Sequence, residues 1–162
     1  QTCALPISEV RRRFAEPLSH ADSAAGARGA ADTLLAAAAS ESDRVLRWFM
    51  LDEARRLGIA AGEAATVSRA IVLLSASHEF DAIALELRSL DEIPLRGVDH
   101  RRAAAVAKAA EEVSSRSELD GRLDRAAQAA RLASKAWQRS GDRDAARRAA
   151  ARGHALEAAS RR

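Results

Sequence analysis

The four histidines, His20, His78, His100 and His154, fall in four separate segments of the chain. None has a second histidine, or the glutamate of a zinc-helix motif, at the spacing that puts two ligands on one helical face, so no metal site is expected. His78-Glu79-Phe80-Asp81 is the densest polar cluster, but it lies between the end of one predicted helix and the start of the next, where capping and solvation account for it. Asp52-Glu53 and Asp91-Glu92 are adjacent carboxylates; neighbouring helix positions diverge by about 100°, so neither pair aims two acids at one atom, and both read as solvated faces. A Gly-rich phosphate loop and a Gly-x-Ser-x-Gly elbow are both missing from the sequence. The sequence therefore points away from an enzyme, with no catalytic, metal-binding or cofactor-binding residue assigned and no cofactor implied.

Charge carries more information than any motif. Residues 41–92 hold six basic and ten acidic side chains, whereas residues 118–162 hold eleven basic and six acidic. Arg139, Arg143 and Arg147 recur at every fourth position, with Arg148 and Arg152 beside them, and together they form a candidate basic stripe for acidic protein or phosphate. No aromatic residue interleaves with these arginines, so the stacking platform of a single-strand nucleic-acid site is missing, and Asp142, Asp144 and Glu157 partly offset them. Trp48 and Trp137 each continue an apolar stripe and read as core residues.

The elements that would position these groups are helices. The chain has 162 residues, and its hydrophobic fraction of 48% is dominated by 41 alanines against 32 Leu, Ile, Val and Phe together. Alanine is the best helix former, yet each buried methylene is worth about 0.8 kcal/mol, so helices should form readily around a thin core. No stretch alternates apolar and polar residues over a strand length, and no run of about 18 apolar residues exists to span a bilayer. The expected fold class is all-α.

Ser8 is the expected N-cap of a first short helix that Pro17 ends or bends, and a second helix runs from about Ala21 to Ala39, weakened by Gly26 and Gly29. Ser42 or Asp43 caps a stronger helix bearing Val45, Leu46, Phe49, Met50, Ala54 and Leu57, with Gly58 as its left-handed terminus. After Gly62, Val67, Ala70, Ile71 and Leu74 mark the return helix of a hairpin. Asp81 and Asp99 cap the two helices of a second hairpin, which ends at the polar run Ser115–Ser117. The stripe Leu119, Leu123, Ala126, Ala130, Ala133 and Trp137 then leads to a break at Ser140-Gly141-Asp142 and a last helix.

The expected organisation is thus N-terminal helices over residues 8–40 and three stacked antiparallel hairpins over 41–160, forming one domain, either a TPR-like α-solenoid or a compact bundle. A repeat hairpin cannot bury its apolar face alone, so neighbours must stack.

Several segments carry a family likeness: Val10-Arg11-Arg12-Arg13-Phe14, Leu34-Leu35, Leu51-Asp52-Glu53-Ala54-Arg55, the turn at Gly62-Glu63, and Phe80-Asp81-Ala82-Ile83-Ala84-Leu85. On these residues the chain from about Ser8 to Ala159 resembles a TPR-like helical-hairpin region of large, multi-domain, often exported bacterial proteins of high-GC organisms. The resemblance implies an accessory or spacer module beside other domains, exported or in the cell envelope. Trp48-Phe49-Met50 and Leu57-Gly58-Ile59 depart from that region's pattern, so only fold is carried over.

Gln1-Thr2-Cys3-Ala4-Leu5-Pro6-Ile7 looks like a translated sequencing adapter, which places residues 1–7, including the single cysteine, outside the native protein and the true start upstream. The functional expectation is a noncatalytic scaffold or protein–protein interaction module within a larger bacterial protein, engaging a protein partner or neighbouring domains. The alternative is anionic-polymer binding, to nucleic acid or an anionic surface, through the basic C-terminal helix; nucleic acid is the weaker of the partner readings.

Overall fold

The computed structural model describes the chain from residue 6 onward, so most of the adapter-like stretch lies outside the described residues. Among the described residues the protein is all-α, with nine helices and no strand. They are α1 (Pro6–Arg13), α2 (Ala15–Ser19), α3 (Ala24–Ser40), α4 (Arg44–Ala61), α5 (Ala64–Ser75), α6 (Ala82–Asp91), α7 (His100–Leu119), α8 (Leu123–Ser140) and α9 (Arg143–Ser160). The chain divides into two compact units, Gln1–Phe80 and Asp81–Arg162.

In the first unit, α3, α4 and α5 pack as consecutive helices joined by tight turns, with α1 set against α4. The core is built from large side chains: Leu34, Leu35, Met50, Leu51, Ile71 and Leu74 are at most 1% exposed, and Val10 and Phe14 of the N-terminal turns close one side. Asp43 caps α4, its carboxylate accepting from the Val45 and Leu46 amides. α3 starts at Ala24, later than the sequence suggests, because the Ser23 hydroxyl accepts from the Gly26 amide. Pro17 does not end a helix; it sits in the first turn of α2, where its missing N–H is no loss, and the break falls at Phe14 instead.

Gly58 differs from its expected role. α4 runs through it to Ala61, and Gly62, at φ 71°, is the left-handed cap. A Cβ at Gly58 would come within 3.1 Å of Thr66 and Val67 side chains, so the absence of a side chain lets α5 lie close against α4. Asp52 is also not a solvated residue: it is 8% exposed and held by Arg55 at 2.8 Å and Arg56 at 3.0 Å.

In the second unit, α6, α7, α8 and α9 follow one another, and the α7–α8 and α8–α9 pairs are the most extensively packed in the protein. Their shared surfaces are mostly alanine: Ala103, Ala107, Ala110, Ala126, Ala127, Ala130, Ala133 and Ala136 are at most 1% exposed. Small side chains let helix axes approach toward the short end of the usual 8–10 Å. Two buried hydroxyls add ties between the helices: Ser114 Oγ donates to the Ala126 carbonyl at 2.8 Å, and Ser134 Oγ to the Ala146 carbonyl at 2.9 Å, each reaching 12 residues ahead. The two bonds are equivalent steps of one repeated helix-turn unit, whose turns are closed by Gly121 (φ 70°) and Gly141 (φ 89°).

The run Ser115–Ser117 is therefore not a boundary. α7 continues through it to Leu119, since Ser114 and Ser117 lie on the buried face and Ser115 bonds back to the Glu111 carbonyl. Leu119 consequently ends α7 at 87% exposure instead of opening the stripe of α8.

Candidate functional site

α6 and α8 both pack against α7 and touch each other, and a groove of about 530 Å³ runs between them within the second unit. Ala84, Leu87, Arg88 and Asp91 line it from α6; Asp124, Arg125, Gln128, Arg131, Leu132 and Lys135 line it from α8. The spacing is helical on both walls, so each presents one continuous face.

Asp81 fixes one end of this groove. It caps α6 by accepting from the Ala84 amide at 3.0 Å, and both of its oxygens accept from Arg125, at 2.9 and 2.8 Å. Arg122 stands 3.8 Å away. The Ala84 amide, and after it the Arg125 guanidinium, hold the Asp81 carboxyl below its ordinary value. Deeper along α6, Glu86 is 3% exposed and paired with Arg116 of α7. An N-cap and two ion pairs to two different helices thus set where α6 lies, and so the shape of the groove.

The predicted basic stripe is only partly assembled. Arg139 lies at the end of α8, and the left-handed Gly141 breaks the helical path between it and Arg143. Arg143, Arg147 and Arg148 are exposed on α9, but Arg147 is paired with Asp144. Arg152 reaches Glu118 of α7 at 2.7 Å and Ser115 at 3.3 Å. Arg148 and Arg152 share a smaller cleft of about 140 Å³ with Glu111, Ser114, Ala130 and Ala149. Glu111 accepts from Trp137 Nε1 at 2.8 Å, which accounts for its place there.

The histidines remain dispersed. His78 Nδ1 lies 3.0 Å from the neighbouring Ser77 Oγ, and His100 Nδ1 lies 3.1 Å from the Arg139 carbonyl, a tie between the start of α7 and the end of α8. Among the described residues no group of three His, Cys, Asp or Glu side chains could hold a metal ion. No helix among them is long and apolar enough to cross a membrane. Trp137 is 9% exposed and Trp48 packs on the first unit's core, edge-on to Phe49 at 5.0 Å between ring centroids.

Sequence reasoning missed the groove. Its residues come from two helices separated by a third in sequence, so no local pattern brings them together. No family model, no curated protein and no solved structure matches the chain.

Proposed function

We propose that this protein is a noncatalytic helical module that presents the α6/α8 groove of its second unit to a protein partner, within a larger TPR-like polypeptide. The groove itself supports this reading most strongly: it is a concave surface with a small apolar floor, walls of exposed charge, and a wall helix fixed by Asp81 and Glu86. Surfaces of that make suit peptide recognition, in which apolar anchors give affinity and surrounding charges give selectivity. Its carboxylates and guanidiniums come from both walls, Arg88 and Asp91 from α6 and Asp124, Arg125 and Arg131 from α8.

The test is site-specific photo-crosslinking of the intact protein in the cells that produce it, with benzoylphenylalanine at Gln128 in the groove or at Ala151 on the exposed side of α9. The expected outcome is an adduct from Gln128 that maps to one defined polypeptide segment and is lost when Leu87 and Leu132 are both changed to Glu. Equal labelling from both positions, or none from Gln128, would overturn the proposal.

A second reading is anionic-polymer binding through Arg139, Arg143, Arg147, Arg148 and Arg152. It is favoured by Arg139, Arg143 and Arg148, which are exposed without a carboxylate partner among the described residues, and weakened by the Arg147–Asp144 and Arg152–Glu118 pairs. Retention on heparin that falls steeply with salt and disappears on Arg143→Ala/Arg148→Ala would establish it.

A further inference from the structure

We infer that the segment docked in the α6/α8 groove is an acidic, leucine-bearing peptide; this rests on reading the groove as the protein-binding face. Four cations line the groove, Arg88, Arg125, Arg131 and Lys135, against two carboxylates, Asp91 and Asp124. Arg125 is engaged by Asp81 and Arg131 by Glu157. Arg88 on the α6 wall and Lys135 on the α8 wall have no carboxylate partner among the described residues, and both are exposed.

The register places these cations together. The Asp81–Arg125 pair sets the start of α6 beside the start of α8, so the two helices run in the same direction from that clamp. At 1.5 Å rise per residue, Arg88, Arg131 and Lys135 all lie roughly 9–15 Å beyond it. The distal part of the groove therefore holds two cations without a carboxylate partner among the described residues, Arg88 and Lys135, against Asp91, with Arg131 engaged by Glu157 beside them and Asp124 by the clamp. Ala84 lies nearer the clamp, and Leu87 and Leu132 lie level with Arg88 and Arg131, so the apolar floor that would take one or two aliphatic side chains is flanked by the cations.

The surrounding field has the same sign. The second unit carries seventeen Lys and Arg against thirteen Asp and Glu, whereas the first carries nine against ten. Like-charge approach is penalised and opposite charge is drawn in, so a basic peptide is selected against and an acidic one favoured. A phosphate backbone fits less well, because an extended polyanion needs a run of cations and only Arg88 and Lys135 lack a carboxylate partner among the described residues.

The experiment is selection of a phage-displayed library of short random peptides on the full-length protein, followed by affinity measurement of the enriched peptides against charge-reversal variants. The expected result is a pool enriched in Asp and Glu around Leu, with binding that weakens at least about tenfold on Arg88→Glu/Lys135→Glu. The milder Arg88→Gln/Lys135→Gln should give a smaller loss, with an unchanged circular dichroism spectrum as the check on folding. Enriched peptides that are neutral or basic, yet still lose affinity on Leu87→Glu/Leu132→Glu, would overturn the acidic-ligand inference and leave groove docking standing. Peptides indifferent to every groove variant, or no enrichment at all, would overturn both.

Discussion

The two units solve the same problem, holding helices together, with different materials. In the first, Leu34, Leu35, Met50, Leu51, Ile71 and Leu74 bury large side chains between α3, α4 and α5. In the second, α7, α8 and α9 meet mainly through alanine, and Ser114, Ser134 and Trp137 add hydrogen bonds across the helix pairs. The first unit gains from apolar area per residue; the second gains from close approach, which brings a hydroxyl on one helix within reach of a carbonyl on the next. An Ala-based interface has little volume to give, so it should tolerate deletion of atoms better than their addition.

The largest effect should come from Leu51→Ala, which empties a fully buried site in the first unit and is expected to cost about 2–5 kcal/mol in urea unfolding. In the second unit the damaging change is the opposite one. Ala130→Leu adds volume at a position 1% exposed and should cost about 1–3 kcal/mol, read by the same titration. Trp137→Phe keeps most of the ring but removes the Nε1 donor to Glu111; a loss of about 1–2 kcal/mol would show that these polar ties matter, and no loss would reduce them to decoration of an alanine core. Gly141→Ala forces a side chain into the left-handed region and should cost about 1 kcal/mol.

The smallest expected effect depends on pH. Asp81 has a folded-state pKa below its ordinary value of 3.8, chiefly from the Ala84 amide and the Arg125 guanidinium. Its contribution to stability is therefore fully present above that ordinary value and is lost as pH falls through the lower folded-state value. Asp81→Asn should flatten this part of the acid-unfolding curve and raise amide hydrogen exchange in the first turn of α6, while exchange in α8 stays near that of the unchanged protein.

Helix content and several boundaries were legible in the sequence because they follow from local chemistry: the Asp43, Asp81 and Asp99 caps act on amides two or three residues away. What misled was residue type without partner. Gly58 looks like a terminator until Thr66 and Val67 are known to press on it, and Ser115–Ser117 look like a loop until their neighbours are buried against α8. Asp52 reads as solvent-facing until Arg55 and Arg56 fold over it. The basic side chains of α9 were visible in sequence, but their neutralisation by Asp144 and Glu118 depends in the second case on a contact across 34 residues. The groove was illegible for a similar reason, since its walls are set by the Asp81–Arg125 clamp across 44 residues.

The groove belongs to a compact unit with its own alanine-rich core, different in make from that of the first. Each unit contains one tryptophan, Trp48 in the first and Trp137 in the second. The most direct test is urea unfolding of two single-tryptophan backgrounds of the full chain, Trp48→Phe and Trp137→Phe, each combined with Leu51→Ala or Ala130→Leu. Leu51→Ala should move chiefly the transition reported by Trp48, and Ala130→Leu chiefly the one reported by Trp137. If either substitution moved both transitions equally, the two cores would be one, and the division on which the account rests would be contradicted.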